Sequence, residues 1–263
     1  MKIKVLSKTQ LQAGKKCDKL LYFKKYHFKD LPKPDMDTQE RFDQGNAVGE
    51  LAIRYFSGVC ESRYGKGRSV YIDRKPWEKD EAIDDTVHAI ESGKRMIFEG
   101  SCESIKDGVW ARNDVVEVLD DGSVNLYEVK SSKGDPSRYH IDDAAIQYTA
   151  FIGGGYKVNK VFLVMIGKYF NRENPFNIDD FFEVVDVTTK VKKKAKKSCE
   201  DAPKLIDMIN EGNIPNKNIG SHCIKGFQCE AYEMCWKGKS DYGVRKLTSS
   251  QWRVRNKLLD QGI

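Results

Sequence analysis

The chain is poor in the features that would place it quickly. No apolar run approaches the ~20 residues that a bilayer span requires, and no basic-apolar leader opens the sequence, so a cytosolic protein is expected. There are no internal repeats and no long low-complexity linker. Histidine is scarce, with four in 263 residues, and His27, His88 and His140 are too scattered to suggest shared chemistry. Net charge of one sign is also modest, +6. With 40% hydrophobic and 32% charged residues, the composition excludes a disordered tail and fits a soluble globular protein.

Seven cysteines are present. In a reducing compartment they argue against a disulfide scaffold and for metal ligation by some of them. "HCIKGFQCEAYEMCW" places Cys223, Cys229 and Cys235 six residues apart. Three thiols need a fourth ligand for a closed site. Cys17 and His222 are the two candidates, and the spacing matches neither common zinc-finger nor ferredoxin patterns. Cys60, Cys102 and Cys199 read as buried or idle thiols. Tyr232 and Trp236 are expected to pack around the cysteine site.

The positive charge is clustered. Residues 1–30 hold nine lysines, and residues 190–197 read KVKKKAKK. Each block alone is an ordinary solvated face; together they suggest a polyanion partner. Lys192, Lys193, Lys194, Lys196 and Lys197 are the candidate contacts to a nucleic-acid backbone.

Periodicity predicts a helix from Lys8 towards Tyr26, weakened at Gly14, and a second from about Gln39 to Phe56 with Phe42, Val48, Leu51, Ala52 and Tyr55 inward. "DEAIDDTVHAIESG" reads as a third helix closed by Gly93. "KRMIFEGSC", "VWARNDVVEV" and "SVNLYEVKSS" read as successive strands. "IDDAAIQYTAFIGGG" reads as a helix with Ile141, Ala144, Ala145, Tyr148 and Ile152 inward. "KVFLVMI" is a strand buried on both faces, followed by "FFEVVDVT", a lysine-rich helix, the cysteine segment and a last helix from about Ser249. The central order is helix, strand, strand, strand, helix, strand.

The stretch "LYEVKSS" holds the central question. Glu128 and Lys130 are two apart on a strand and share a face. Taken alone they are a surface pair worth ~0–1 kcal/mol. The preceding turn changes the reading. A three-residue loop from Asp120 to Gly122, with Gly122 left-handed, pairs Leu119 with Ser123 and, counting back, Asp114 with Glu128. Two carboxylates at ~5 Å repel by roughly 3 kcal/mol at an effective dielectric of ~20. A proton or a cation must relieve them, and oxygen ligands suit Mg²⁺ or Mn²⁺.

Asp114 on one strand and Glu128-Val129-Lys130 on the next resemble the PD-(D/E)xK nuclease motif. Asn113 stands where that motif often has proline. "IDDAAIQYTAF" looks like the RecB-type helix, with Gln147 as its glutamine. "GNAVGELA" resembles the upstream helix that often carries a histidine before a glutamate; here the pair is Gly49 and Glu50. An early cysteine and three late ones around such a core look like the iron–sulfur nucleases of the AddB-type and CRISPR-associated RecB-like groups. The resemblance covers essentially the whole chain and implies a single nuclease domain over residues 1–263. That is a restriction-endonuclease-like core at about 39–190, with helical parts at about 1–30 and 191–263 joined by a metal cluster. It implies a metal-dependent deoxyribonuclease, in exonuclease mode. Asp114, Glu128, the Val129 carbonyl and Glu50 would hold Mg²⁺ or Mn²⁺. Lys130 and Gln147 would act in catalysis, and Cys17, Cys223, Cys229 and Cys235 would hold a [4Fe–4S] cluster. The rival readings are a non-catalytic nucleic-acid-binding module, a zinc-stapled interaction protein, and a nuclease of the same kind acting on RNA.

Overall fold

The computed structural model describes residues 2–171, 176–224, 228–237, 244, 247 and 252–261. The chain divides into two compact units: Lys4–Lys8 with Pro34–Ala202, and Met1–Ile3 with Thr9–Lys33 and Pro203–Ile263.

The first unit is a mixed α/β layer. Its sheet runs β2 (Ser69–Tyr71), β3 (Met96–Ser104), β4 (Val109–Val118), β5 (Val124–Lys133), β6 (Val158–Ile166) and β7 (Phe182–Asp186), with β1 (Leu6–Ser7) paired to β4. The strands β3, β4 and β5 are antiparallel neighbours, while β5 and β6 run parallel. Sequence order in this region is helix α4 (Lys79–Glu91), three strands, helix α5 (Arg138–Gly153) and a strand.

The β4–β5 hairpin has the expected register. Leu119 N donates to Ser123 O at 2.8 Å, Gly122 has φ +75°, and the ladder runs from Val118↔Val124 to Val115↔Tyr127. The conformation at Gly122 is one that a side chain would strain.

One sheet face buries Ile97, Val116, Leu126 and Leu163 under α5 and α6 (Thr188–Ser198). The other buries Met96, Phe98, Val115, Tyr127 and Val164 under α3 (Met36–Tyr64). The alternation of Val115 with Val116, and of Leu126 with Tyr127, is the period-two pattern of a strand covered on both sides. At ~25 cal/mol per Å², each fully buried aliphatic side chain contributes about 2 kcal/mol to holding these layers.

Helix α3 is longer than its periodicity suggested at both ends: it starts at Met36, where the Asp35 carboxylate accepts from Thr38 N at 2.9 Å, and it runs to Tyr64, with Gly65 as its C-cap. Its buried side chains begin at Val48, so Phe42 is exposed rather than inward. In α5, Ile141, Ala144 and Ala145 are buried as expected, but Ile152 is exposed and Phe151 is buried instead. Steps of four residues drift by about 40° each on a 3.6-residue helix, so the stripe closes on a step of three from Tyr148. At the end of α5, a Cβ on Gly154 would lie 2.2 Å from Cys102 Sγ, so the glycine lets the chain pass β3.

In the second unit the helix expected over 8–26 is two helices, α1 (Lys8–Lys16) and α2 (Asp18–Tyr26). They are broken at Cys17, whose backbone is extended. Gly14 lies against α7 (Ala202–Glu211): a Cβ there would come 2.5 Å from Leu205 Cδ1. Tyr26 donates to Ile209 O at 2.6 Å, and Asn210 bonds both the N–H and the carbonyl of Ile3. Short helix α8 (Tyr232–Trp236) and α9 (Trp252–Asp260) complete this unit; the expected start at Ser249 lies outside the described residues. Among the described residues no helix is long and apolar enough to cross a membrane.

Candidate active site

The site begins with a gap in the sheet. β3 takes one edge of β4 along nearly its whole length. The other edge is shared: β1 pairs with Val109 and Trp110, and β5 pairs with Val115 to Val118. Residues 111–114 have no strand partner on that side. Their hydrogen bonds go elsewhere, as buried backbone requires. Asn113 Oδ1 accepts from Tyr127 N at 3.1 Å, Asp114 Oδ2 accepts from Val129 N at 2.6 Å, and Arg112 O accepts from Gln147 Nε2 at 3.0 Å. The expected next pair, Asp114 with Glu128, is therefore joined through the Asp114 side chain rather than a continued ladder.

On β5 the pairing with β6 is regular through Val129 and irregular before Lys133. Such a bulge re-aims side chains, and Lys130 lies within it. Lys130 Nζ donates to Glu128 Oε1 at 2.9 Å and to Asp143 Oδ2 at 2.5 Å. Gln147 is buried and donates from Nε2 to Glu128 Oε2, while its Oε1 accepts from Asn113 Nδ2 at 3.2 Å. Asp143 and Gln147 are one turn apart on α5, so one helix face delivers both.

Asp114, Glu128, Lys130 and Gln147 thus come together. Three further groups join them that the sequence reading missed. Lys8 Nζ donates to Glu128 Oε1 at 2.8 Å. Asp143 holds Lys130. Glu99 stands opposite Asp114, at the one position skipped in the β3–β4 register, and is the one non-glycine residue with positive φ (58°) among the described residues. A three-residue loop ending at Gly108 would have paired Asp114 with Gly100; the loop has four residues, with Ser104 opposite Val109, and that puts Glu99 there instead. Asp143 was legible, four residues before Gln147. Lys8 had no local signal.

Burial and charge pull these groups apart. Burial alone would raise the Glu128 pKa, but Lys8 and Lys130, with the Gln147 amide, hold it well below the ordinary range. Burial and the Glu128 charge push Asp114 well above its usual value, against Lys8 and the Val129 N–H. Glu99 is raised by burial and by Glu128, with Arg112 and Lys8 opposing. Burial would lower Lys130, yet Glu128 and Asp143 carry it above the ordinary lysine value. Neighbouring carboxylates whose surroundings drive their pKa values apart make this cluster the candidate active site.

Glu50 is exposed on α3, and among the described residues no hydrogen bond or ion pair joins it to Asp114 or Glu128. On α6, Lys192, Lys193, Lys196 and Lys197 are exposed, whereas Lys194 is bound to Asp142, the neighbour of Asp143 on α5.

Among the described residues no set of three or more His, Cys, Asp and Glu side chains stands gathered around a metal-sized position. The donor chemistry nonetheless fits the expected cation: two carboxylates and a backbone carbonyl are hard oxygen ligands. In the second unit Cys17, Cys223, Cys229 and Cys235 share one apolar cluster with Leu20, Phe23, Tyr232 and Trp236, and no disulfide links them. Burial pushes the Cys17 thiol up and the Cys229 thiol to about 11. His222 Nε2 lies 3.5 Å from Cys223 Sγ. Soft thiol donors in an apolar pocket fit iron–sulfur or zinc. Cys60, Cys102 and Cys199 are buried outside this cluster.

No family model matches the chain, and no curated protein matches it. Among solved structures it is similar to the protein SSO0001, at 17% identity over 72% of this chain and 96% of the other, with a TM-score of 0.29. It is also similar to an alkaline exonuclease, LHK-Exo, from Laribacter hongkongensis, at 11% identity over 80% and 93%, with a TM-score of 0.30. Likenesses this distant carry no argument about function.

Proposed function

We propose that the chain is a metal-dependent nuclease of the RecB-like class that hydrolyses phosphodiester bonds in DNA. The observation that carries this reading is the convergence of Asp114, Glu128, Lys130 and Gln147 at the open edge of β4, with three of the four tied by hydrogen bonds at Glu128. Asp114, Glu128 and the Val129 carbonyl would hold Mg²⁺ or Mn²⁺; Glu50, exposed on α3, is left out of this ligand set. The cation supplies Lewis-acid polarisation of the phosphate and a water of lowered pKa. Gln147 fixes the Glu128 carboxylate in one orientation. Lys130, protonated between Glu128 and Asp143, orients the attacking water and faces the negative charge on the non-bridging phosphoryl oxygens. Attack in line with the leaving oxygen would leave a 5′-phosphate. Lys192, Lys193, Lys196 and Lys197 would track the backbone. Cys17, Cys223, Cys229 and Cys235 would hold a structural [4Fe–4S] cluster.

One observation favours a rival. Lys8 and Lys130 both pair with Glu128 Oε1, and a carboxylate matched by two ammonium groups is what a non-catalytic nucleic-acid-binding module would carry. Cleavage of end-labelled and circular DNA with Mn²⁺ separates the two. The nuclease reading expects metal-dependent cutting that falls on the order of 10²-fold or more in Asp114→Ala and in Lys130→Ala. Undiminished cutting by both variants removes the mechanism, and DNA binding without any cutting selects the rival.

A further inference from the structure

Lys8 is the first residue after β1, and β1 is hydrogen-bonded to β4 through Leu6 and Ser7. A paired strand, not a loose terminus, therefore brings its ammonium to the uncovered stretch of β4. There it meets Glu128 Oε1 at 2.8 Å, while Lys130 meets the same oxygen at 2.9 Å. The charged groups facing Lys8 are Glu128, Lys130, Asp143, Asp114 and Glu99. Lys130 is shared with Asp143, but no second carboxylate contact is made by Lys8 among the described residues.

Two ammonium groups on one carboxylate oxygen occupy the position that a cation ligated by Glu128 would need. They also repel each other. Lys130 has Asp143 to retain it. Among the described residues Lys8 has no such second hydrogen-bonded anchor, so it is the group that gives way when Glu128 Oε1 is engaged by another cation. A phosphate drawn to that cation would lie beside the displaced ammonium and compete for it with Asp114, Asp143 and Glu99. We infer that Lys8 is a second substrate-contacting cation of the site, which caps Glu128 Oε1 in the metal-free protein and turns to a non-bridging phosphate oxygen of the substrate. This rests on the nuclease reading.

The test pairs Lys8→Met with Lys8→Arg, both in the full chain. Calorimetric titration with Mn²⁺ reads the capping role without any turnover. Removal of the competing charge should tighten Mn²⁺ binding by about fivefold in Lys8→Met, whereas Lys8→Arg stays near the wild type. Single-turnover cutting of single-stranded DNA at saturating Mn²⁺ should fall about 10²-fold in Lys8→Met and recover largely in Lys8→Arg. Unchanged or weaker Mn²⁺ binding by Lys8→Met overturns the inference, as does undiminished cutting by that variant. If Mn²⁺ binding tightens but the wild type never cuts DNA, the cap on Glu128 stands and the nuclease reading is what fails.

Discussion

Glu117 and Glu128 are both buried carboxylates on adjacent strands, yet their surroundings differ in kind. Glu117 takes four donors: Arg63 at 2.6 Å, Tyr64 at 2.9 Å, Asn125 at 2.8 Å and Tyr127 at 2.6 Å. No second carboxylate faces it among the described residues, so this is a satisfied structural network. Glu128 instead stands beside Asp114 and is quieted by two lysines. Glu117→Ala is expected to lower unfolding stability in urea by about 3–5 kcal/mol, since Asn125 and Tyr127 would be left as buried donors. Burial would raise the Glu117 pKa, but its donors bring it below the ordinary value. Its contribution is therefore present above the unfolded glutamate pKa, ~4.3, and is lost as pH falls through the lower folded value. Urea titrations between about pH 5 and pH 2 should show a steep acid limb that Glu117→Gln flattens.

At the scale of the element, β4 does most of the positioning. It is long enough to pair with β3 along nearly its whole length while β1 and β5 divide its other edge. The stretch between them is where ligand-type side chains replace ladder bonds. Helix α5 then serves two neighbours, offering Asp143 and Gln147 to the site and Asp142 to Lys194 of α6. That last bond makes Lys194 a tether between helices, so it drops out of the free lysine face. Replacing Lys192, Lys193, Lys196 and Lys197 together with alanine should weaken metal-free binding to duplex DNA. The slope of log K against log salt should shrink by about 0.9 for each lysine that contacts a phosphate. An unchanged slope would leave α6 as a solvated helix.

At the scale of the whole molecule, the second unit is assembled from segments far apart in the chain. Cys17 sits at the start of α2, while Cys223, Cys229 and Cys235 come some 200 residues later, and long loops cost only logarithmically more to close. A bound metal cluster would replace that cost with ligand bonds. Protein purified anaerobically should be brown, with iron and inorganic sulfide. Cys17→Ser should lose both, and Cys102→Ser, whose thiol lies in the other unit's core, should keep both. A colourless wild type with a single zinc would replace the cluster by a zinc staple.

The sequence by itself determined the features that local rules set. The turn at Gly122 set the β4–β5 register, the i, i+2 spacing put Glu128 beside Lys130, and the glycines after α5 closed that helix. Burial of Cys60, Cys102 and Cys199 came from thiol chemistry. Tertiary structure decided whatever depended on which strand lies beside which. The pairing of β1 with β4 brought Lys8 to Glu128 across 120 positions, and no periodicity encodes that. Extended backbone at Cys17 split a helix that spacing alone would have continued, and Glu99 took a left-handed conformation that propensity disfavours. Local patterns fix the direction of a side chain relative to its own backbone. The partner it meets is fixed by the sheet order, which is set by burial summed over the whole unit.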